Sequence, residues 1–274
     1  MRGVNNSNPR QLNLLDTVRA RGTMTVEQLA DLLGVTLQTV RRDVQRLADA
    51  GLLLRFHGGV RAPASTTENI AHPQRETLNA EGKARIARAV AERVPNDCSL
   101  ILNIGTTAEA IARALLRHRG LRVITNNLHV AHILAGNEAC EVIVAGGTVR
   151  ARDRAVVGEA TIDFMRQFKV DIALIGCSGI EAEGGEATLR DFDLREVKVA
   201  QTILAQGREL WLAADASKFH RPAMVQIAPL SRIDCLFTDA PPPTPFPELL
   251  EAAGVRCVVA TDPATASPLP SPTP

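Results

Sequence analysis

Two groups of residues in this sequence have the types and spacing to do chemistry. The first lies within TLQTVRRDVQRLADA (36 to 50), where Gln38, Thr39, Arg41, Arg42 and Arg46 crowd amide, hydroxyl and guanidinium groups into a short stretch. Gln and Arg offer paired hydrogen-bonding atoms that fit flat polar edges, and Arg also pairs with phosphate. The second group is dispersed, but each member follows an apolar run: Asn103 with Gly105-Thr106-Thr107, Asn126-Asn127, Gly146-Gly147-Thr148, Gly176-Cys-Ser-Gly179 and Asp215-Ala-Ser-Lys218. Backbone N–H groups at glycine turns, hydroxyls and an ammonium are the ingredients of a phosphate pocket. The chain has only four lysines, so Lys218 is the most direct countercharge. Asp215 either accepts from a ligand hydroxyl or pairs with Lys218.

An amphipathic helix must position the first group. At about 100° per residue, Leu37, Val40, Val44, Leu47 and Ala48 share one face, while Gln38, Arg42, Gln45, Arg46 and Asp49 share the other. Thr36 is the N-cap and Gly51 the stop. Two shorter helical segments precede it. Residues 10 to 21 carry Leu12, Leu14, Leu15 and Val18 ahead of Gly22. The capping-box sequence Thr25-Val-Glu-Gln28 opens a segment with Val26, Leu29, Ala30, Leu32 and Leu33, closed by Gly34. After Gly51, strands at 52 to 56 and from Val60 onward, joined at Gly58-Gly59, read as a wing.

That order predicts a winged helix-turn-helix whose third helix enters the major groove of double-stranded DNA. Gln38, Thr39 and Arg42 then face base edges; Arg41, Arg46, Arg55 and His57 face phosphates; Thr36 at the cap completes the DNA-facing set. The charge agrees. Residues 1 to 62 hold nine arginines, no lysine and five acids, a net +4, and the remainder is −3, with 22 basic and 25 acidic residues. A basic head on a slightly acidic body suits a polyanionic partner.

The second group needs a sheet. Apolar runs at 100 to 104, 122 to 125, 141 to 145, 171 to 176, 209 to 214, 234 to 238 and 255 to 259 alternate with helical segments near 81 to 94, 107 to 117, 128 to 135, 160 to 168, 194 to 206 and 247 to 253. Such alternation predicts a C-terminal α/β domain with a largely parallel sheet covered on both faces, and ligands at the carboxyl ends of its strands. The expected organisation is a DNA-binding domain over 1–60, a linker over 61–75 rich in Pro, Ser and Thr, an effector-sensing domain over 76–260 and a disordered tail over 261–274. No apolar run reaches the roughly 18 residues of a membrane span, and the polar start is no signal peptide, so a cytoplasmic protein without a membrane partner is expected. Five cysteines without a CxxC read as reduced and structural, and six scattered histidines give no metal spacing. Neither a metal nor another cofactor is expected.

VTLQTVRRDVQRLADAGLLLRFHGGV (35 to 60) resembles the N-terminal signature of the DeoR family of bacterial transcriptional repressors, with Thr36 in place of the usual Ser. The resemblance continues through Lys83-x-x-Ile-Ala, IGTTAEA, VITNNLHVA, AGGTVRARDRAVVGEATIDF, FDLREV, DASKFHRPAMV and LFTDAPPP, covering about 10 to 258. It implies a sensor with a fold like sugar-phosphate isomerases, a small phosphorylated effector such as glycerol 3-phosphate, and no enzymatic activity. It also implies an effector site at Asn103, Gly105, Thr106, Thr107, Asn126, Gly146, Gly147, Asp215 and Lys218, whose occupation weakens operator binding. Two positions depart from the family. Asn103 replaces an Asp, and the loop 181 to 190 is longer than its counterpart, a difference that shifts effector choice if the loop borders the pocket. A homo-oligomer is expected, since paired recognition helices read repeated half-sites. The competing reading is an aldose–ketose phosphate isomerase with Asp215, Glu196 or Asp171 as acid/base and Lys218 on phosphate.

Overall fold

The computed structural model describes residues 9–21, 24–49, 52–56, 59–61 and 72–261. His57, Gly22, Gly51, Gly58 and the tail from 262 onward lie outside them.

The head contains α1 (Pro9–Arg21), α2 (Val26–Leu33), α3 (Leu37–Asp49) and the antiparallel pair β1 (Leu54–Phe56) and β2 (Gly59–Arg61). Local signals set the boundaries. Thr25 and Gln28 close a reciprocal capping box on α2, and Gly34 ends that helix at φ 63°. Leu14, Leu15, Val18, Leu29, Val40, Val44, Leu47, Leu53 and Val60 form one core. Leu12, Leu32 and Leu37, assigned to inner faces by periodicity, are instead exposed. Short helices crossing one another cover only the middle of each apolar stripe. Asp43, by contrast, is buried on the inner face of α3.

The body opens with α4 (His72–Thr77) and α5 (Ala80–Ala91). Of the expected 61–75 connection, Arg61 ends β2, His72 to Arg75 belong to α4, and 62–71 lie outside the described residues. Then follow β3 (Ser99–Leu102), α6 (Thr106–Ala114), β4 (Leu121–Thr125), α7 (Leu128–Leu134), β5 (Cys140–Val144), the hairpin β6 (Thr148–Arg150) and β7 (Ala155–Val157), α8 (Glu159–Met165) and β8 (Val170–Ile175). The remainder is β9 (Gly179–Glu183), β10 (Glu186–Asp191), α9 (Leu194–Leu204), β11 (Gly207–Ala213), β12 (Val225–Pro229), β13 (Cys235–Thr238), α10 (Phe246–Ala252) and β14 (Arg256–Val259).

Seven parallel strands form the central sheet in the order β14-β13-β11-β8-β3-β4-β5. One face packs Ile86, Val90, Ile111, Val130 and Leu134 from α5, α6 and α7. The other packs Met165, Val197, Ile203 and Leu250 from α8, α9 and α10. An antiparallel sheet, β12-β10-β9, adds to this second side. The 181 to 190 stretch, expected as a loop, is the β9–β10 hairpin turning at Gly184 and Gly185, with φ 60° and 83°. Two adjacent positive-φ glycines suit a tight hairpin turn.

Candidate functional site

On α3, Gln38, Arg41, Arg42 and Arg46 are exposed and Thr39 is half-buried. The Thr36 hydroxyl lies 3.3 Å from the Thr39 amide and 2.9 Å from the Thr39 hydroxyl, so the N-cap role stands and the two hydroxyls are tied together. Arg55 on β1 donates to the Gln45 side-chain oxygen, and Gln45 donates to Asp49 at 2.7 Å, which joins the wing to the recognition helix. Asp43 accepts from Arg10 Nε at 2.6 Å and from Gln11 Nε2 at 2.9 Å. Burial alone would raise its carboxyl, but these hydrogen bonds and the Arg10 charge hold it below the usual carboxylate range. The clamp fastens α1 to α3 and turns an acid away from the basic face.

In the body, strand order decides where the polar turns meet. From β3 the chain winds through β4 to β5 on one side, then resumes at β8 on the other and proceeds through β11. The β3/β8 boundary is therefore a topological switch point, where loops diverge and leave a crevice at the carboxyl ends. The crevice is lined by Asn103, Gly105, Thr106 and Thr107 after β3, Gly176 to Ser178 after β8, and Asp215 to Lys218 after β11. Asn126, Gly146 and Gly147 do not line it. Gly146 and Gly147 follow β5, two strands from β3 and about 10 Å away, whereas Asn126 follows β4, beside β3. Asn126 donates to the Val156 carbonyl at 3.1 Å, and the Gly146 carbonyl accepts from Thr161 at 2.9 Å. At Gly147, with φ 146°, a Cβ would meet Thr161 Oγ1 at 2.3 Å. Asp171 sits at the opposite end of β8, held by Ser99 Oγ at 2.6 Å, so it cannot join chemistry in the crevice.

Several lining residues were not candidates from sequence: Arg75, Lys83, Asp153, Asp191 and Arg221; Glu196, a candidate only in the isomerase reading, lines it too. Lys83 belongs to a quoted motif, yet its place in the first turn of a helix, not after a strand, carried no sign of a pocket. Lys83 donates to the carbonyls of Arg75 and Leu78, and burial pushes its ammonium down to about 8 despite Asp215 nearby. Burial also lowers Lys218, opposed by Asp215, and lowers Arg221 with help from the Arg75 charge. Burial works against the Asp215 carboxylate, but Lys218, Ser217 and Lys83 outweigh it and hold it below the usual range. Two other acids move the opposite way. Burial raises Asp191, and it raises Glu196 to about 7 with the Asp191 charge adding to it. Burial thus disfavours the charged forms of two acids that stand beside Lys83, Lys218, Arg75 and Arg221.

The helix end adds to this field. Gly105 precedes α6 at φ 125°, a conformation L side chains rarely adopt, and no side chain caps the helix. Its first N–H groups face the same space as the cations. Asn103 Oδ1 is buried there without a hydrogen-bond partner among the described residues. A buried acceptor without a donor costs about 1–3 kcal/mol, which a ligand hydroxyl would relieve. The arrangement can hold a small molecule with a phosphate and at least one hydroxyl.

The DeoR-like helix-turn-helix domain matches residues 10–66 and the DeoR C terminal sensor domain matches 78–240. The glycerol-3-phosphate regulon repressor of Escherichia coli (strain K12) is 42% identical over 241 residues, covering 88% of this chain and 94% of the relative. The HTH-type transcriptional repressor CsqR of the same organism is 40% identical over 252 residues, covering 92% and 95%. Among solved structures, ribose 5-phosphate isomerase A from Methanocaldococcus jannaschii shares 16% identity at a TM-score of 0.37 over 52% of this chain and 55% of that one, a likeness too partial to assign an activity. With both halves matched in chain order and these near-full-length relatives acting as repressors, the chain belongs to the DeoR family of DNA-binding transcriptional repressors.

Proposed function

We propose that a small phosphorylated metabolite, glycerol 3-phosphate, occupies the body's crevice and releases the repressor from its operator. The carrying observation is the convergence of Lys83, Lys218, Arg75 and Arg221 with the uncapped N-terminus of α6 at the strand switch point. A phosphate dianion satisfies both the cations and the N–H groups. Asn103 supports the hydroxyl end of such a ligand, because its unpartnered carbonyl oxygen still accepts a hydrogen bond as the family's Asp would. The name of the 42%-identical relative supports the choice of metabolite. Gly105, Thr106, Thr107, Asp215 and Lys218 are the sequence candidates retained in this reading; Asn126, Gly146 and Gly147 shape the neighbouring turns.

Arg75 is the route from pocket to head in this reading. It lies on α4, the first body helix after the connection, and its guanidinium stands 3.8 Å from Asp153 across the crevice. A phosphate competing with Asp153 for Arg75 would reposition α4 and favour one arrangement of paired heads. An effector with equal affinity for both arrangements would shift nothing. The functional unit is a homo-oligomer whose recognition helices read repeated half-sites. The isomerase alternative retains Asp215 and Glu196 in the crevice, but the DNA-binding head has no place in it.

The test is a thermal-shift screen of phosphorylated three- to six-carbon metabolites on the full chain, followed by release of fluorescent operator DNA. Glycerol 3-phosphate at 100 times its Kd is expected to stabilise the body by about 2.7 kcal/mol and to release DNA. Stabilisation by another phosphate only, or turnover of an aldose phosphate, would sink the assignment.

A further inference from the structure

The histidines, scattered in sequence, do not stay scattered in the fold. His72 opens α4, Glu109 lies in the first turn of α6 and His129 in the first turn of α7. His72 Nε2 is 2.8 Å from Glu109 Oε1, and the His72 and His129 rings stack with centroids 5.0 Å apart at 8°. One donor atom from each residue lies within 4.8 Å of the others. His72 and Glu109 are buried, at 7% and 2% exposure, and His129 is half-buried with an open side. None of the three lines the crevice.

Two imidazoles and a carboxylate converging from three helices form the donor set of zinc sites, in which neutral rings give nitrogen lone pairs and the carboxylate balances charge. We propose that His72, Glu109 and His129 bind a divalent transition metal ion of the zinc class, with the fourth position open to water beside His129. Tetrahedral bonds of about 2.0–2.1 Å place donor atoms about 3.4 Å apart. The 2.8 Å pair must open slightly and the widest separation must close by side-chain rotation. The stacked rings keep their lone pairs in parallel planes, so one ring, that of half-buried His129, must turn for both nitrogens to face the ion. The ion would rivet α4 to α6 and α7, fixing the helix that carries Arg75.

The full chain, stripped with a chelator and titrated with Zn²⁺ by calorimetry, is expected to bind one equivalent at this site. Co²⁺ serves as the spectroscopic probe. Its complex should show tetrahedral visible bands without a sulfur-to-cobalt charge-transfer band, which separates this site from the five cysteines. His129→Ala, at the half-exposed ligand, and His72→Gln, which keeps a hydrogen bond to Glu109, should each weaken binding by about 100-fold or more. Their metal-free circular dichroism should match that of the parent. No Zn²⁺ binding by the parent, parent-like binding by both folded variants, or a cobalt–sulfur band would each overturn the assignment.

Discussion

Lys83 and Lys218 carry the pocket's charge in different ways. Lys83 sits near a pKa of about 8, pushed down by burial, whereas a phosphate monoester gains its second charge above about pH 6. Below about pH 8 the free pocket holds a charged Lys83; above it that attraction is lost. Effector affinity should therefore peak between about pH 6 and 8 and fall toward pH 9 in calorimetric titrations, and Lys83→Met should flatten the alkaline limb. An identical limb in the variant would remove Lys83 from phosphate binding. Lys218→Met should weaken effector binding by about 10- to 150-fold, the range of a charge-assisted hydrogen bond, while operator affinity in effector-free buffer stays unchanged. Lys218 was legible in the sequence because lysine is scarce and this one follows a strand. Lys83 was not, because in the first turn of a helix and away from any strand end it reads as any solvated lysine. Asn126 looks identical in sequence to a ligand-binding residue; its amide nitrogen donates to Val156, its Oδ1 has no hydrogen-bond partner among the described residues, and it does not line the crevice.

Among the elements, α3 and the wing divide the work on DNA. Arg42→Ala should weaken operator binding by about 1–3 kcal/mol while scarcely changing binding to random DNA, whereas Arg55→Ala should weaken both alike and reduce the salt slope. Fluorescence anisotropy on both DNAs at two salt concentrations distinguishes them; equal losses for Arg42→Ala would sink its base-reading role. Asp43→Asn should lower head stability by about 1–3 kcal/mol, without contacting DNA. Because the Asp43 carboxyl is held below its unfolded value, its contribution is complete above about pH 4 and fades as pH falls through the lowered value. Trp211, the sole tryptophan, is in β11 of the body, so head unfolding would appear in circular dichroism and not in its fluorescence. α2, α3 and the seven central strands were legible because caps, stops and apolar runs are local. The Asp43 clamp was not, because its partners are 33 and 32 residues away. Nor were β9, β10 and β12, which are partly polar and defined by pairing with one another.

For the whole molecule, coupling should be separable from operator binding and, because Arg75 also lines the pocket, should fail even at saturating effector. Arg75→Ala is expected to leave operator binding intact and to abolish most of the effector's power to release DNA, read by anisotropy in an effector titration. Unchanged release would place the coupling elsewhere. Strand order was the largest part of the architecture hidden from the sequence: polar turns follow several strands, but only adjacency of β3, β8 and β11 selects those that converge. The β9–β10 hairpin bears on this arrangement differently. Its glycine tip is exposed, and no residue from 181 to 190 lines the crevice, yet β10 ends at Asp191, which does. Chain added at such a tip carries little closure penalty. A circularly permuted fluorescent protein spliced between Gly184 and Gly185 would thus ride on a strand rooted in the pocket, turning the regulator into an optical gauge of its own effector.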